Sequence, residues 1–112
     1  MTIKELIDEL GLKVFACEGS DTTEITGGYI SDLLSDVMGN AEAGNIWITL
    51  QAHMNVVAIA SLKELSAIIL VKDISPDDKV IKKAAELSIP LLGSSENTFE
   101  LSGKVYNLLN KK

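Results

Sequence analysis

The sequence predicts an α/β fold, a mostly parallel sheet of about five strands flanked by helices. Three observations point to it. Short apolar runs alternate with segments of helical period along most of the chain. Ala67-Ile68-Ile69-Leu70-Val71 is apolar without a break, as a central parallel strand covered on both faces must be. The helical segments are about 10–15 residues long, which suits crossovers between parallel neighbours.

The elements follow in order. Thr2 and Glu5 have capping-box spacing, Ile3, Leu6, Ile7 and Leu10 recur at helical period, and Gly11 stands where a left-handed C-terminal residue belongs. Lys13-Val14-Phe15-Ala16-Cys17 reads as a first strand, closed by a turn at Gly19-Ser20-Asp21. Thr22–Ile25 reads as a short second strand ending in a turn at Thr26-Gly27-Gly28. Ser31 is placed to cap a two-turn helix carrying Leu33, Leu34, Val37 and Met38, which ends at Gly39.

Ile46-Trp47-Ile48-Thr49-Leu50, branched and aromatic, is the clearest strand, with Gly44 at its entry. Ala52–Leu65 is helical but apolar nearly all round, so it is either mostly buried or covered by a partner. Ser75-Pro76-Asp77-Asp78 has the order of a helix start: a capping serine, proline at the first position, then acids on the dipole. Leu91-Leu92-Gly93 is a last short strand after Pro90, and Asn97 to Asn110 a last helix presenting Leu101, Val105, Leu108 and Leu109.

Composition excludes several functions. With 112 residues the chain is expected to form a single domain, residues 1–112. It carries 16 acids against 10 bases, a net charge of -6, and all ten bases are lysine. Without arginine's two-point fork, and with that charge, nucleic acid is not an expected partner. One cysteine, Cys17, allows no internal disulfide, and the lone histidine, His53, leaves no Cys/His zinc set. MTIKELIDELGLKVF is neither signal peptide nor membrane anchor, so a cytoplasmic protein is expected. Residues 1–60 carry -7 and residues 61–112 carry +1. That asymmetry suits solvated surface, or an acidic front meeting the lysine-bearing back of a second copy.

No Walker sequence or GxGxxG fingerprint is present, which argues against ATP-driven phosphoryl transfer. The candidate ligand site is the edge formed by the strand ends. His53 follows the Trp47 strand beside Gln51 and Asn55, Asp73 follows the apolar strand, and Ser94 and Ser95 follow the last one. Thr26, Gly27 and Gly28 are expected at the same edge, as a positive-φ turn whose N–H groups form an anion nest. Asn97 and Thr98 add the start of the last helix, where they cap it or help hold an anion. Each of these residues also has a plain structural role as cap, turn or surface group. No catalytic residue, cofactor or metal is assigned.

Thr26-Gly27-Gly28, the two-turn helix after it, the Trp47 strand, the Ser75-Pro76-Asp77 segment and Asn97-Thr98-Phe99 together resemble the DRTGG domain family from about Thr23 to Leu109. Glu24 and Ile25 stand where that signature has Asp and Arg, and Asn97 stands where an acid is usual. The resemblance implies a fold like the HPr kinase/phosphorylase N-terminal domain. It also implies a non-catalytic regulatory or oligomerisation module, sensing a small anionic or nucleotide ligand or a partner protein. A homodimer or higher assembly is expected separately, because the apolar helix at Val56–Leu62 with Tyr29 and Ile30 beside the glycines offers surface to cover. A small enzyme or phosphotransfer component using Asp73 or His53, inheriting a serine-kinase label, is the alternative. A scaffold subunit of a larger complex is another.

Overall fold

The computed structural model describes residues 1–17 and 23–111. The expected turn at residues 19–21 and the start of the expected second strand at Thr22 lie outside the described residues. Helix α1 (Ile3–Leu10) leads into β1 (Lys13–Ala16). Four β–α steps follow: β2 (Gly27–Ile30), α2 (Leu34–Asn40), β3 (Asn45–Thr49), α3 (Met54–Leu62), β4 (Ala67–Leu70), α4 (Asp78–Glu86), β5 (Leu91–Gly93) and α5 (Thr98–Leu109). The five strands lie in the order β1-β5-β4-β3-β2, with β2 to β5 parallel and β1 antiparallel to β5. The mostly parallel α/β fold is the one the apolar pattern predicts.

Register sorts the core into two layers. Tyr29, Trp47, Ile68 and Leu91 form one row across the parallel strands. Trp47, Ile68 and Leu91 pack with Val37, Val57, Ala60 and Ala84 from α2, α3 and α4. The next row, Ile30, Ile48, Ile69 and Leu92, faces the other way, where Ile48, Ile69 and Leu92 meet Ile3 and Leu6 of α1 and Leu101 and Val105 of α5. Three helices therefore cover one face and two the other. This explains α3. It packs between α2 and α4 as well as on the sheet, so its all-round apolarity is largely absorbed within the chain.

Local chemistry shows why several ends fall where they do. The Thr2 hydroxyl accepts from Glu5 N–H at 3.2 Å and Glu5 reaches back, completing the expected capping box, and Gly11 takes φ 60°. Asn97 caps α5 by accepting from Glu100 N–H at 2.9 Å. Two expected starts move inward. Ser31 receives the N–H of Leu33, which is the cap residue of α2, and Asp77 rather than Ser75 is the cap of α4, leaving Pro76 buried ahead of the helix.

The larger correction concerns the glycines. Glu24 forms an isolated bridge to Thr2 rather than part of a strand, and Gly27-Gly28 are the first half of β2, paired with Asn45 and Ile46. The two positive-φ glycines among the described residues are Gly11 and Gly44, so Gly27-Gly28 form neither a left-handed turn nor an anion nest. A Gly-Gly pair reads as a turn in isolation; here pairing with β3 overrides that signal.

Tyr29 anchors the loop after β2, its hydroxyl donating to Asp36 Oδ1 at 2.8 Å. That bond, with help from Ser31, holds the Asp36 carboxyl below its usual 3.8 and lifts the Tyr29 phenol above its usual 10.0. Asp36's contribution is thus present above pH 3.8 and lost as pH falls through its lowered folded value. Tyr29's is present below pH 10.0 and lost as pH rises through its raised one. The thermal midpoint of Tyr29→Phe should lie below that of the parent between these limits, with the gap closing at both extremes. A gap independent of pH would show the pair does not stabilise the fold.

Candidate functional site

Because β2, β3, β4 and β5 succeed one another across the sheet, their connecting helices α2, α3 and α4 all lie on one face. After β5 the chain changes face, and α5 packs on the side of α1. The connections leaving β4 and β5 therefore end on opposite faces of the sheet, and this is where a parallel sheet opens a crevice at its carboxyl edge. A polar cleft of about 350 Å³ lies there, lined among others by Lys13, Asp73, Ser94, Ser95, Glu96 and Lys104.

The backbone at the cleft is unusual. Lys72 and Asp73 both adopt left-handed φ, 59° and 58°, which residues with side chains rarely do. Their N–H groups donate to Glu96 O and Ser94 O, both at 2.9 Å, in crossed order rather than as a continued parallel ladder, and pin the two loops together at their start. Lys104 pairs with Glu96 at the cleft, and Lys13 sits 5.3 Å from the centre of the Phe15 ring. The cleft offers two ammonium groups and three serine hydroxyls, from Ser75, Ser94 and Ser95, with two carboxylates balancing the charge.

The expected site residues are thereby divided. Ser94, Ser95 and Asp73 come together in the cleft, and Asn97 and Thr98 start α5 just beyond it. His53 lies at the same edge but in a separate open depression with Gln51, Asn55 and Asp77, at the head of α3. Thr26, Gly27 and Gly28 are at the opposite edge, where the strands begin. Thr26 Oγ1 donates to Ala43 O at 2.8 Å and accepts from Asn45 Nδ2 at 3.1 Å, tying the entry of β2 to that of β3. Among the described residues, no three His, Cys, Asp or Glu side chains gather as a metal site would require.

A second concavity, about 760 Å³, runs between β2 and α5. Gly28, Ile30, Phe99, Gly103 and Tyr106 are among the residues that line it. A Cβ built on Gly28 would meet only Ile46 O, at 3.8 Å, and one on Gly103 would meet nothing within 4 Å. Gly28→Ala should therefore leave thermal stability unchanged or slightly raised, by up to ~1 kcal/mol, since alanine restricts the unfolded chain more. A substantial loss in a melting experiment would show that the strand needs glycine there.

Sequence reasoning missed two features. Asp32 accepts from Thr49 Oγ1 at 2.8 Å and from Leu50 N–H at 2.7 Å, clamping the loop after β2 onto the end of β3. No local pattern marks it. The outward stripe of α5, Phe99, Gly103, Tyr106 and Asn110, was visible as spacings of four, three and four.

The fold and the cleft define a three-layer α/β module with its crevice where the chain changes face. The family profile of the DRTGG domain matches residues 5–108, and the chain belongs to that family. Among curated proteins no match is found. A similar solved structure comprises the CBS and DRTGG domains of the regulatory region of Clostridium perfringens pyrophosphatase, complexed with its activator diadenosine tetraphosphate. The TM-score is 0.70 at 14% identity, over 91% of this chain and 44% of that one. The likeness is one of fold, and this chain spans less than half of that protein's regulatory region. No helix among the described residues is long and apolar enough to cross a membrane.

Proposed function

We propose that this chain is a non-catalytic regulatory module of the cytoplasm that binds a small anionic ligand of the nucleotide-phosphate class and associates with itself. The observation that carries the ligand half is the cleft at the change of face, with Lys13, Lys104, Ser94 and Ser95 around its mouth. The complex of the related regulatory region with diadenosine tetraphosphate supports the ligand class. Lysines hold phosphate as point charges without the fork of arginine, and Lys104 must first leave Glu96, so affinity is modest.

The test is a thermal-shift series with inorganic phosphate, AMP, ATP and diadenosine tetraphosphate, since a ligand of the native state raises its melting temperature. At least one nucleotide should raise the midpoint, and the rise should be lost in Lys13→Ala and Ser94→Ala. With magnesium and labelled ATP, turnover should stay at background. No shift with any nucleotide, or a shift indifferent to both substitutions, overturns the site; turnover abolished by changing His53 or Asp73 overturns the non-catalytic reading.

A further inference from the structure

The groove between β2 and α5 holds the chain's most exposed aromatic side chains, and they serve no packing inside the molecule. Phe99 is 82% exposed and Tyr106 68%, and Ile30 beside them is 49% exposed. Between the two aromatics lie Ser102 and Gly103. Glycine in a helix interior is unfavourable, and no neighbour demands it here, because the space over Gly103 is empty. The stripe thus reads aromatic, small pair, aromatic along one outward face of α5.

We infer that this face is the contact between two copies of the chain, packed about a two-fold axis through the Ser102–Gly103 pair. The inference rests on the self-association half of the proposed function and names the surface that performs it. Two features of the face select a second copy as the occupant. It is self-complementary: an antiparallel α5 centred on Ser102 and Gly103 sets Phe99 of each copy against Tyr106 of the other, while the small pair lets the helices approach closely. It is also sparing in charge. Glu100 and Lys104 are the charged residues lining the groove, and Lys104 is already paired with Glu96, whereas the chain as a whole carries -6 and repels its own kind elsewhere. At the far edge of the sheet from β1, β2 widens the apolar surface with Ile30. One helix and one short strand make a small interface, so the dimer is weak and depends on concentration.

Sedimentation equilibrium from low-micromolar to near-millimolar protein tests this. The parent should pass from monomer to dimer over that range, and more readily at high salt, because screening relieves repulsion between two acidic chains. Gly103→Leu should raise the dissociation constant at least tenfold while raising the melting temperature of the dilute monomer, since leucine is the better helix former. A merely structural glycine would not move those two readouts in opposite senses. Leu62→Asp, on the exposed side of α3, should leave dimerisation intact. A parent that stays monomeric throughout overturns both the self-association reading and this interface. A parent that dimerises equally well with Gly103→Leu, or whose dimer is lost with Leu62→Asp or weakened by salt, overturns the interface alone.

Discussion

Trp47→Ala should lower the unfolding free energy by about 3–5 kcal/mol, the range found when a large buried aromatic is truncated. Trp47 is fully buried in the interior strand β3, against Val37, Val57 and Ala60 of the three-helix layer. Its Nε1–H donates to Ser31 O at 2.9 Å, joining the loop after β2 to the core. Truncation empties a cavity and strands that carbonyl together. Trp47→Phe keeps most of the ring and loses the bond, so its cost should be smaller, about 1–3 kcal/mol. Urea unfolding followed by far-ultraviolet circular dichroism reads both. A loss below ~1 kcal/mol for the alanine variant would show that the layer closes over the gap.

Gly44→Ala should cost about 2–4 kcal/mol, combining a positive-φ penalty with a collision. Gly44 sits at φ 84°, and a Cβ there would lie 2.5 Å from Thr26 Cγ2 and 2.7 Å from Thr26 Oγ1. Thr26 has no room to yield without giving up its bonds to Ala43 and Asn45. The same glycine donates its N–H to Glu64 O and accepts from Thr26 N–H and Ser66 Oγ, so a shift would disturb the start of three strands. In a double-mutant cycle, Thr26→Ala should recover part of the loss but not all of it, since the backbone penalty remains. Strict additivity of the two changes would mean the side chains do not collide.

Much of this architecture was legible because local and tertiary signals agree. The Thr2 cap, the unbroken Ala67–Val71 run and the Asn97 cap each ask for what the fold supplies. Misreadings arose where tertiary pairing outvoted a local signal: Gly27-Gly28 extended beside β3, and Ser75-Pro76 left outside α4. Other features had no local mark. Helices α3 and α4 are followed by left-handed Glu64 and Ser88, where glycine would have announced the stop. The left-handed Lys72-Asp73 pair likewise hides in ordinary residues. At the candidate site, Ser94, Ser95 and Asp73 were expected on one edge because they follow adjacent strands. Lys13 and Lys104 could not be, since the antiparallel β1 and the returning α5 bring them in from distant parts of the chain.

The strand order also divides the work of folding unequally. Each parallel pair from β2 to β5 is joined by one helical crossing, so its partners are near neighbours along the chain. The remaining pair matches Lys13 with Gly93, with the whole β2–β5 segment between them along the chain. Ends held by so long a tether meet late, because the chain entropy lost in closure is repaid only once the intervening strands have collapsed. The β2–β5 unit is therefore the part that assembles first, and α1 with β1 docks onto it as a closing flap. In the finished molecule the same flap supplies Lys13 to the cleft, so the site is complete only when the last folding step has been taken.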